Sequence, residues 1–334
     1  MSASLLILLG LGMLVAGGEL FVRGAVRIAE RLGISPLMIG LTLVGFGTST
    51  PELVTSVQAS LSGSPGIAVG NIVGSNIVNI LLILGISALI FPIAVPSAAL
   101  WRDGVFGAVA AAALVATGLF WTLDRIVGVT FLLGLVAYIA YAWRQESATT
   151  GDHTAAFEKA RALEEVHSGG LQHPAPAVGF LPAFWNGTPA SIGVVLVGLV
   201  LVVVGGGLLV EGATGLARSL GISESVIGLT IVAIGTSMPE LVTSVVAALR
   251  RHADVALGNV LGSNIYNVLG IGGATALIAP TAIPSEIAHF DGLVMLAVAV
   301  LLMGLARTGW RIGRREGALL VASYGGYLFW IWPA

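Results

Sequence analysis

Apolar residues run through this chain in blocks of about 20 or more, the length at which a helix crosses the hydrocarbon core of a bilayer. The blocks predict helices near 4–30, 34–62, 65–91, 103–121, 123–144, 188–219, 222–250, 252–280, 288–306 and 316–333. Polar residues inside the blocks are few, and the most conspicuous of them occur twice. Gly47-Thr48-Ser49-Thr50-Pro51-Glu52-Leu53-Val54-Thr55-Ser56 returns as Gly235-Thr236-Ser237-Met238-Pro239-Glu240-Leu241-Val242-Thr243-Ser244. Gly70-Asn71-Ile72-Val73-Gly74-Ser75-Asn76-Ile77-Val78-Asn79 returns as Gly258-Asn259-Val260-Leu261-Gly262-Ser263-Asn264-Ile265-Tyr266-Asn267. Both pairs, and Leu32-Gly33-Ile34-Ser35 with Leu220-Gly221-Ile222-Ser223 upstream, are separated by the same 188 positions. A gapless match from about Gly17 to about Gly85 is an internal repeat.

Composition sets the class. Hydrophobic residues make up 56% and charged residues 10%, with a mean hydropathy of +0.98, far from the roughly 25% charge of a soluble domain. The reading is an all-α integral membrane protein of ten transmembrane helices, five in each repeat. An odd number of spans per repeat inserts the second copy upside down, the architecture in which secondary transporters place a binding site near the midplane. The divisions are a first membrane repeat over 1–144, a cytoplasmic linker over 145–187 and a second repeat over 188–334. A net charge of −2 gives no basic face for nucleic acid. The absence of cysteine removes disulfide scaffolds, thiolate metal sites and thiol nucleophiles.

The basic residues orient the helices. With both termini outside, Arg23, Arg27, Arg31, Arg102, Arg144, Lys159, Arg161, Arg250, Arg251, Arg307, Arg311, Arg314 and Arg315 fall on the cytoplasmic side, against Arg125 and Arg218 outside, as the positive-inside rule expects. Met1-Ser2-Ala3-Ser4 lacks the basic start of a signal peptide, so the first block reads as a retained helix. Trp101, Trp121, Trp185, Trp310, Trp330 and Trp332 suit an interfacial belt. The linker carries charges, Gly169-Gly170 and Pro174, Pro176 and Pro182, a loop composition. A short surface helix is expected over 154–166, with Phe157, Ala160 and Leu163 along one side. His153, His167 and His173 are too widely spaced for a metal site and read as solvated.

The repeated motifs carry the chemistry. Pro51 and Pro239 lack an amide hydrogen and clash with the carbonyls of Gly47 and Gly235, so each helix should kink or unwind there. Freed carbonyls at membrane depth are tolerated where they line a cavity. On a helix, Thr48 and Ser49 lie on the same side as Glu52, while Asn71, Ser75 and Asn79, repeated as Asn259, Ser263 and Asn267, form a polar stripe. The motifs hold two carboxylates, hydroxyls and amide oxygens but no basic side chain. Such an oxygen-only set suits calcium, which takes roughly six to eight oxygens, and sodium, better than transition metals. Two ionised glutamates give the empty site about −2, and each uncompensated charge at mid-bilayer costs at least ~2.5–3.5 kcal/mol. One Ca2+ or two Na+ would neutralise it, so a loaded site crosses and an empty one resists, the logic of obligatory exchange.

Other polar and small residues have plainer readings. Thr55, Ser56, Thr243 and Ser244 fit packing or back-bonding as well as a site, and Asn71 and Asn259 fit helix-to-helix hydrogen bonds as well as ligation. Glycine clusters such as Gly205-Gly206-Gly207 and the Gly10 and Gly12 pair suit helix packing. Glu19 and Glu211 have no acidic counterpart in the other repeat.

The doubled motifs resemble the two alpha-repeats of the cation/calcium exchanger superfamily, in particular its prokaryotic sodium/calcium exchanger branch. The resemblance covers nearly the whole chain. It implies an antiporter, not an enzyme, in the cell (inner) membrane, exchanging Na+ for Ca2+ by alternating access as the first and sixth helices slide across a core. No cofactor is implied; the partners are the two ions and the bilayer, and a monomer suffices. Carried over by motif position, Glu52 and Glu240 would be the central shared ligands. Thr48, Ser49, Thr236 and Ser237 would line flanking sodium sites with the carbonyls of Gly45 and Ala233, and Ser75, Asn79, Ser263 and Asn267 would complete the ring. Some relatives carry aspartate where this chain has Asn267, so two carboxylates here in place of three should weaken any requirement for potassium.

Three rivals stand beside this reading. A proton/calcium exchanger would use the same glutamates, though it has no need of the Thr-Ser pairs. An intramembrane enzyme would use them as an acid/base pair, but no histidine, cysteine or lysine lies within the motifs. A channel would leave the inverted repeat without a purpose.

Overall fold

The computed structural model describes residues 2–32, 39, 42, 45–95, 100–148, 154–159, 188–307 and 309–332. Among the described residues, helices fill the apolar blocks. The first half contains α1 (Ala3–Arg31), α2a (Gly45–Thr48), α2b (Thr50–Leu61), α3 (Pro65–Ile90), α4 (Leu100–Phe120) and α5 (Arg125–Ala148). The second contains α6 (Thr188–Leu220), α7a (Glu224–Thr236), α7b (Met238–Leu249), α8 (Ala253–Ile265 continuing through Tyr266–Gly272 and Gly273–Ile278), α9 (Ile287–Arg307) and α10 (Arg314–Ile331). Six of these, α1, α3, α4, α5, α6 and α9, are each long and apolar enough to cross a bilayer, and the bent pair α7a and α7b makes a seventh. The chain is a multi-pass membrane protein.

The exposed surface fits that environment. Leu8, Val109, Ile126, Leu133, Val200 and Phe329 are open, and with lipid as the solvent an outward leucine needs no cover. Trp101, Trp121, Trp310, Trp330 and Trp332 are also exposed; Trp185 lies outside the described residues. The core is built around α3 and α8. Every residue of α3 from Gly66 to Val78 is buried, and so is Asn79, so the three side chains of the polar stripe in α3 cannot be lipid-facing.

Two features depart from an all-α reading. Strands β1 (Ile93–Ala94) and β2 (Arg311–Ile312) pair antiparallel, tying the loop after α3 to the loop before α10, and Leu123 bridges Thr281 between the loops that precede α5 and follow α8. Each gives loop backbone a hydrogen-bond partner that the helices do not supply.

Wide π-helical turns recur in both halves. They occupy Asn79–Leu84 and Tyr266–Gly272 within α3 and α8, and Leu100–Gly104 and Ile287–Asp291 at the starts of α4 and α9. Such turns are uncommon and concentrate at functional sites. Here the first pair begins at, or one residue before, the final asparagine of each repeated motif.

Helices α1 and α6 pack antiparallel along a seam of glycines. A Cβ at Gly10 would lie 2.6 Å from Leu209 N, one at Gly17 2.7 Å from Leu201 Cβ, and one at Gly24 2.6 Å from Val195 Cγ2. The facing glycines are Gly198, Gly205 and Gly212, the repeat equivalents of the first three. Removing the side chains lets the backbones approach, the usual basis of close helix contact in lipid.

Candidate cation site

The site begins where α2 and α7 break. Ser49 (φ −87°, ψ 8°) and Ser237 (φ −81°, ψ 9°) leave the helical conformation, and α7a and α7b diverge by 49°. Pro51 and Pro239 stand in the first turn of the restarted helices, where a missing N–H breaks no helical bond. The expected kinks are thus full breaks. They place Glu52 and Glu240 in the first turn of α2b and α7b, where the positive end of the helix favours a carboxylate.

Both glutamates are 1% exposed, and their contacts cross between the halves. Ser237 Oγ donates to Glu52 Oε1 at 3.1 Å, while Ser49 Oγ lies 3.5 Å from Glu240 Oε1. Ser263 Oγ is also 3.5 Å from Glu240 Oε1. Each carboxylate keeps a second oxygen, Glu52 Oε2 and Glu240 Oε2, with no hydrogen-bond partner among the described residues. So do Thr48 Oγ1, Ser75 Oγ, Asn79 Oδ1 and Asn267 Oδ1. A buried acceptor without a donor carries the full desolvation penalty, about 1–3 kcal/mol or more for a charged group. Six such oxygens from two pairs of helices are what an oxygen-coordinated cation would satisfy.

The remaining predicted residues sort by their bonds. Thr236 Oγ1 lies 2.9 Å from Asn71 Oδ1 and 3.0 Å from the Val232 carbonyl, so its hydrogen is engaged and its lone pairs are not. The Ala233 carbonyl accepts the Ser237 N–H at 3.1 Å and is not left free by the break. Gly45 opens α2a beside residues 43 and 44, which lie outside the described residues. Asn79 Nδ2 donates to Asn264 Oδ1 at 2.9 Å, linking α3 to α8. Thr48 lines a cleft of about 50 Å³ with Gly18, Glu19, Val22, Pro51 and Pro239, between α1 and the two breaks.

Asn71 and Asn259 hold the breaks together. Asn71 Nδ2 donates to the Glu52 carbonyl at 3.1 Å and to Ser56 Oγ at 2.9 Å. Asn259 Nδ2 repeats this with the Glu240 carbonyl at 3.2 Å and Ser244 Oγ at 2.8 Å, and adds Thr243 Oγ1 at 2.9 Å. The asparagines, Ser56, Thr243 and Ser244 thus fix the backbone behind each glutamate.

Comparison with known proteins identifies the family. The family model for sodium/calcium exchanger proteins matches residues 2–144 and again 190–332. The chain belongs to the sodium/calcium exchanger family. It is 35% identical to sodium/calcium exchanger MaX1 of Methanosarcina acetivorans over 97% of both chains, and 34% identical to inner membrane protein YrbG of Escherichia coli over 98% of this chain and 95% of that one. A solved structure of the sodium-calcium exchanger NCX_Mj, soaked with Na+ and Sr2+, is similar with a TM-score of 0.59 and 33% identity over 96% of each chain. The family is one of transporters, and cation/calcium exchange is its activity.

Sequence reasoning missed three buried charged residues of this family member, one of them at the site. The motifs hold no basic side chain, yet Lys159 reaches Glu240 Oε1 at 3.4 Å, fully buried. The expectation of a solvated linker with a surface helix fails for 154–159: residues 155–159 are helical, and Thr154, Ala155, Ala156, Glu158 and Lys159 are buried. The remainder of that predicted helix, and His153, His167 and His173, lie outside the described residues. The other two are Asp103 and Asp291, buried acids also 188 positions apart that accept from Tyr138 at 3.1 Å and Tyr327 at 2.9 Å. The repeat offset could have found that pair. Lys159 is the only lysine in the chain, but nothing in its local sequence points inward. Glu19 pairs with Arg23 on its own helix.

Proposed function

We propose that the protein is a sodium-driven calcium antiporter whose shared cation ligands are Glu52 and Glu240. It has ten transmembrane helices in two inverted repeats, 1–144 and 188–334, joined by the cytoplasmic linker 145–187, in the cell (inner) membrane with both termini outside. The observation that carries the ligand assignment is the set of six buried, unpartnered oxygens on Thr48, Glu52, Ser75, Asn79, Glu240 and Asn267. Ser49, Thr236, Ser237 and Ser263, with the Gly45 and Ala233 carbonyls, complete the set.

Charge then governs the cycle. Two carboxylates are neutralised by one Ca2+ or two Na+, so either load lowers the barrier to moving the site past apolar helix surface. The antiparallel α1 and α6, packed on each other through glycines, support a sliding pair that exposes the site alternately to the two sides. The pairing of β1 with β2 and of Leu123 with Thr281 supports the inverted topology, since each joins loops assigned to one membrane face.

The test is calcium uptake into proteoliposomes preloaded with sodium, with a pH gradient substituted in parallel. Uptake driven by outward sodium, and lost in Glu52→Gln and Glu240→Gln, is expected. Uptake driven only by the pH gradient would reassign the counter-ion to the proton, and undiminished uptake in both variants would refute the ligand assignment.

A further inference from the structure

Residues 154–159 enter the membrane domain through a groove that glycines create. A Cβ at Gly258 would lie 2.1 Å from Glu158 Cβ, and one at Gly262 would lie 3.0 Å from the Ala155 carbonyl oxygen. The repeat-equivalent glycines, Gly70 and Gly74, admit α7a instead, with Leu229 N at 3.0 Å and Leu229 O at 2.6 Å from the corresponding positions. The linker segment therefore sits on α8 in the berth that α7a fills on α3. Its start is anchored: Asp103 Oδ2 accepts the Ala155 N–H at 2.8 Å, and Arg102 and Tyr138 hold the same carboxylate.

From that anchor the Lys159 ammonium reaches the site. It donates to Ser49 Oγ at 3.1 Å, to Glu240 Oε1 at 3.4 Å and to Ser263 Oγ, using all three of its donors. The Tyr266 ring lies 5.7 Å away, within reach of a cation–π attraction. Ser49, Glu240 and Ser263 are among the oxygens assigned to the transported cation. An oxygen lone pair facing an ammonium hydrogen is not offered to a metal ion, and a charge of +1 against −2 leaves the site with half its attraction.

We propose that Lys159 is a tethered cation that occupies the Glu240 side of the cation site, so that transported ions compete with it and bind when the linker withdraws. The inference rests on the assignment of Glu240 as a cation ligand. If the lysine is seated about nine-tenths of the time, the apparent dissociation constant for calcium is raised about tenfold, since affinity scales with the competent fraction. Lys159→Met keeps the length and apolar stem without the charge.

Two measurements on the purified full-length protein test this. The first is equilibrium binding of radioactive calcium to wild type, Lys159→Met, Glu52→Gln and Glu240→Gln. The second is labelling by an amine-reactive reagent, read by mass spectrometry at Lys159, the chain's only side-chain amine. Calcium binding about tenfold tighter in Lys159→Met, with labelling slow in ion-free protein and accelerated by calcium or sodium, is expected. Asp103→Asn, which weakens the anchor, should label faster without ions. Unchanged affinity in Lys159→Met, with binding lost in the glutamate variants, would overturn the proposal alone. Fast, ion-independent labelling of wild type would do the same by showing the amine outside the site. Unchanged binding in both glutamate variants would sink the ligand assignment and this proposal together.

Discussion

Gly17 offers a prediction whose control is built into the same helix. A methyl group there would meet Leu201 Cβ at 2.7 Å, Val202 N at 2.8 Å and the Gly198 carbonyl oxygen at 2.9 Å, all well inside the ~3.5–4.0 Å of comfortable carbon contact. Two of the three atoms are backbone, so relief requires α1 and α6 to separate by most of an ångström rather than a side chain to swing aside. Overpacking of this kind costs about 1–3 kcal/mol. Gly12, on the same helix, has nothing within 4 Å of its added Cβ, and Gly12→Ala should gain about 0.5–1 kcal/mol from helix propensity. Thermal unfolding in detergent of Gly17→Ala, Gly205→Ala and Gly12→Ala tests the argument. The first two should melt below wild type and the third at or above it, and transport should fall in the first two if the pair slides as a unit. Equal melting of Gly12→Ala and Gly17→Ala would refute the claim that this seam has no room for a side chain.

Further outcomes follow from the site. Asn71→Ala and Asn259→Ala each remove a donor from the carbonyl behind a glutamate and from the hydroxyl of Ser56 or Ser244, and each should cost about 1–3 kcal/mol, visible as a lower melting temperature, with weaker calcium binding if the breaks orient the ligands. With Asn267 in place of a third acid, sodium-driven calcium uptake should proceed when potassium is replaced by choline; an absolute potassium requirement would contradict the two-carboxylate count. Asn267→Asp should tighten calcium binding measured at equilibrium, because its buried Oδ1 has no partner among the described residues and a carboxylate there adds charge to the same position.

Much of the protein was legible in the sequence, for reasons that lie in the bilayer and in the repeat. Lipid leaves backbone groups no partner but one another, so long apolar blocks had to be helices, and α1, α3, α4, α5, α6 and α9 lie close to the predicted ranges. The 188-residue offset carried Glu52 onto Glu240 and Asn79 onto Asn267 before any contact was known. Pro51 and Pro239 marked the breaks because a proline cannot continue a helical ladder. What the sequence could not state was pairing across the repeats. That Ser237 serves Glu52 while Ser49 faces Glu240 depends on how α2 and α7 cross, and crossing is settled by packing among α1, α3, α6 and α8. The same holds for Asn71 and Asn259, whose Nδ2 groups donate to the backbone behind the glutamates, while Asn71 Oδ1 accepts from Thr236 across the repeats. Lys159 is the sharpest case. Its neighbours in sequence describe a polar linker, and only the groove at Gly258 and Gly262, formed by residues about a hundred positions away, turns that short segment inward and sets an ammonium against Glu240.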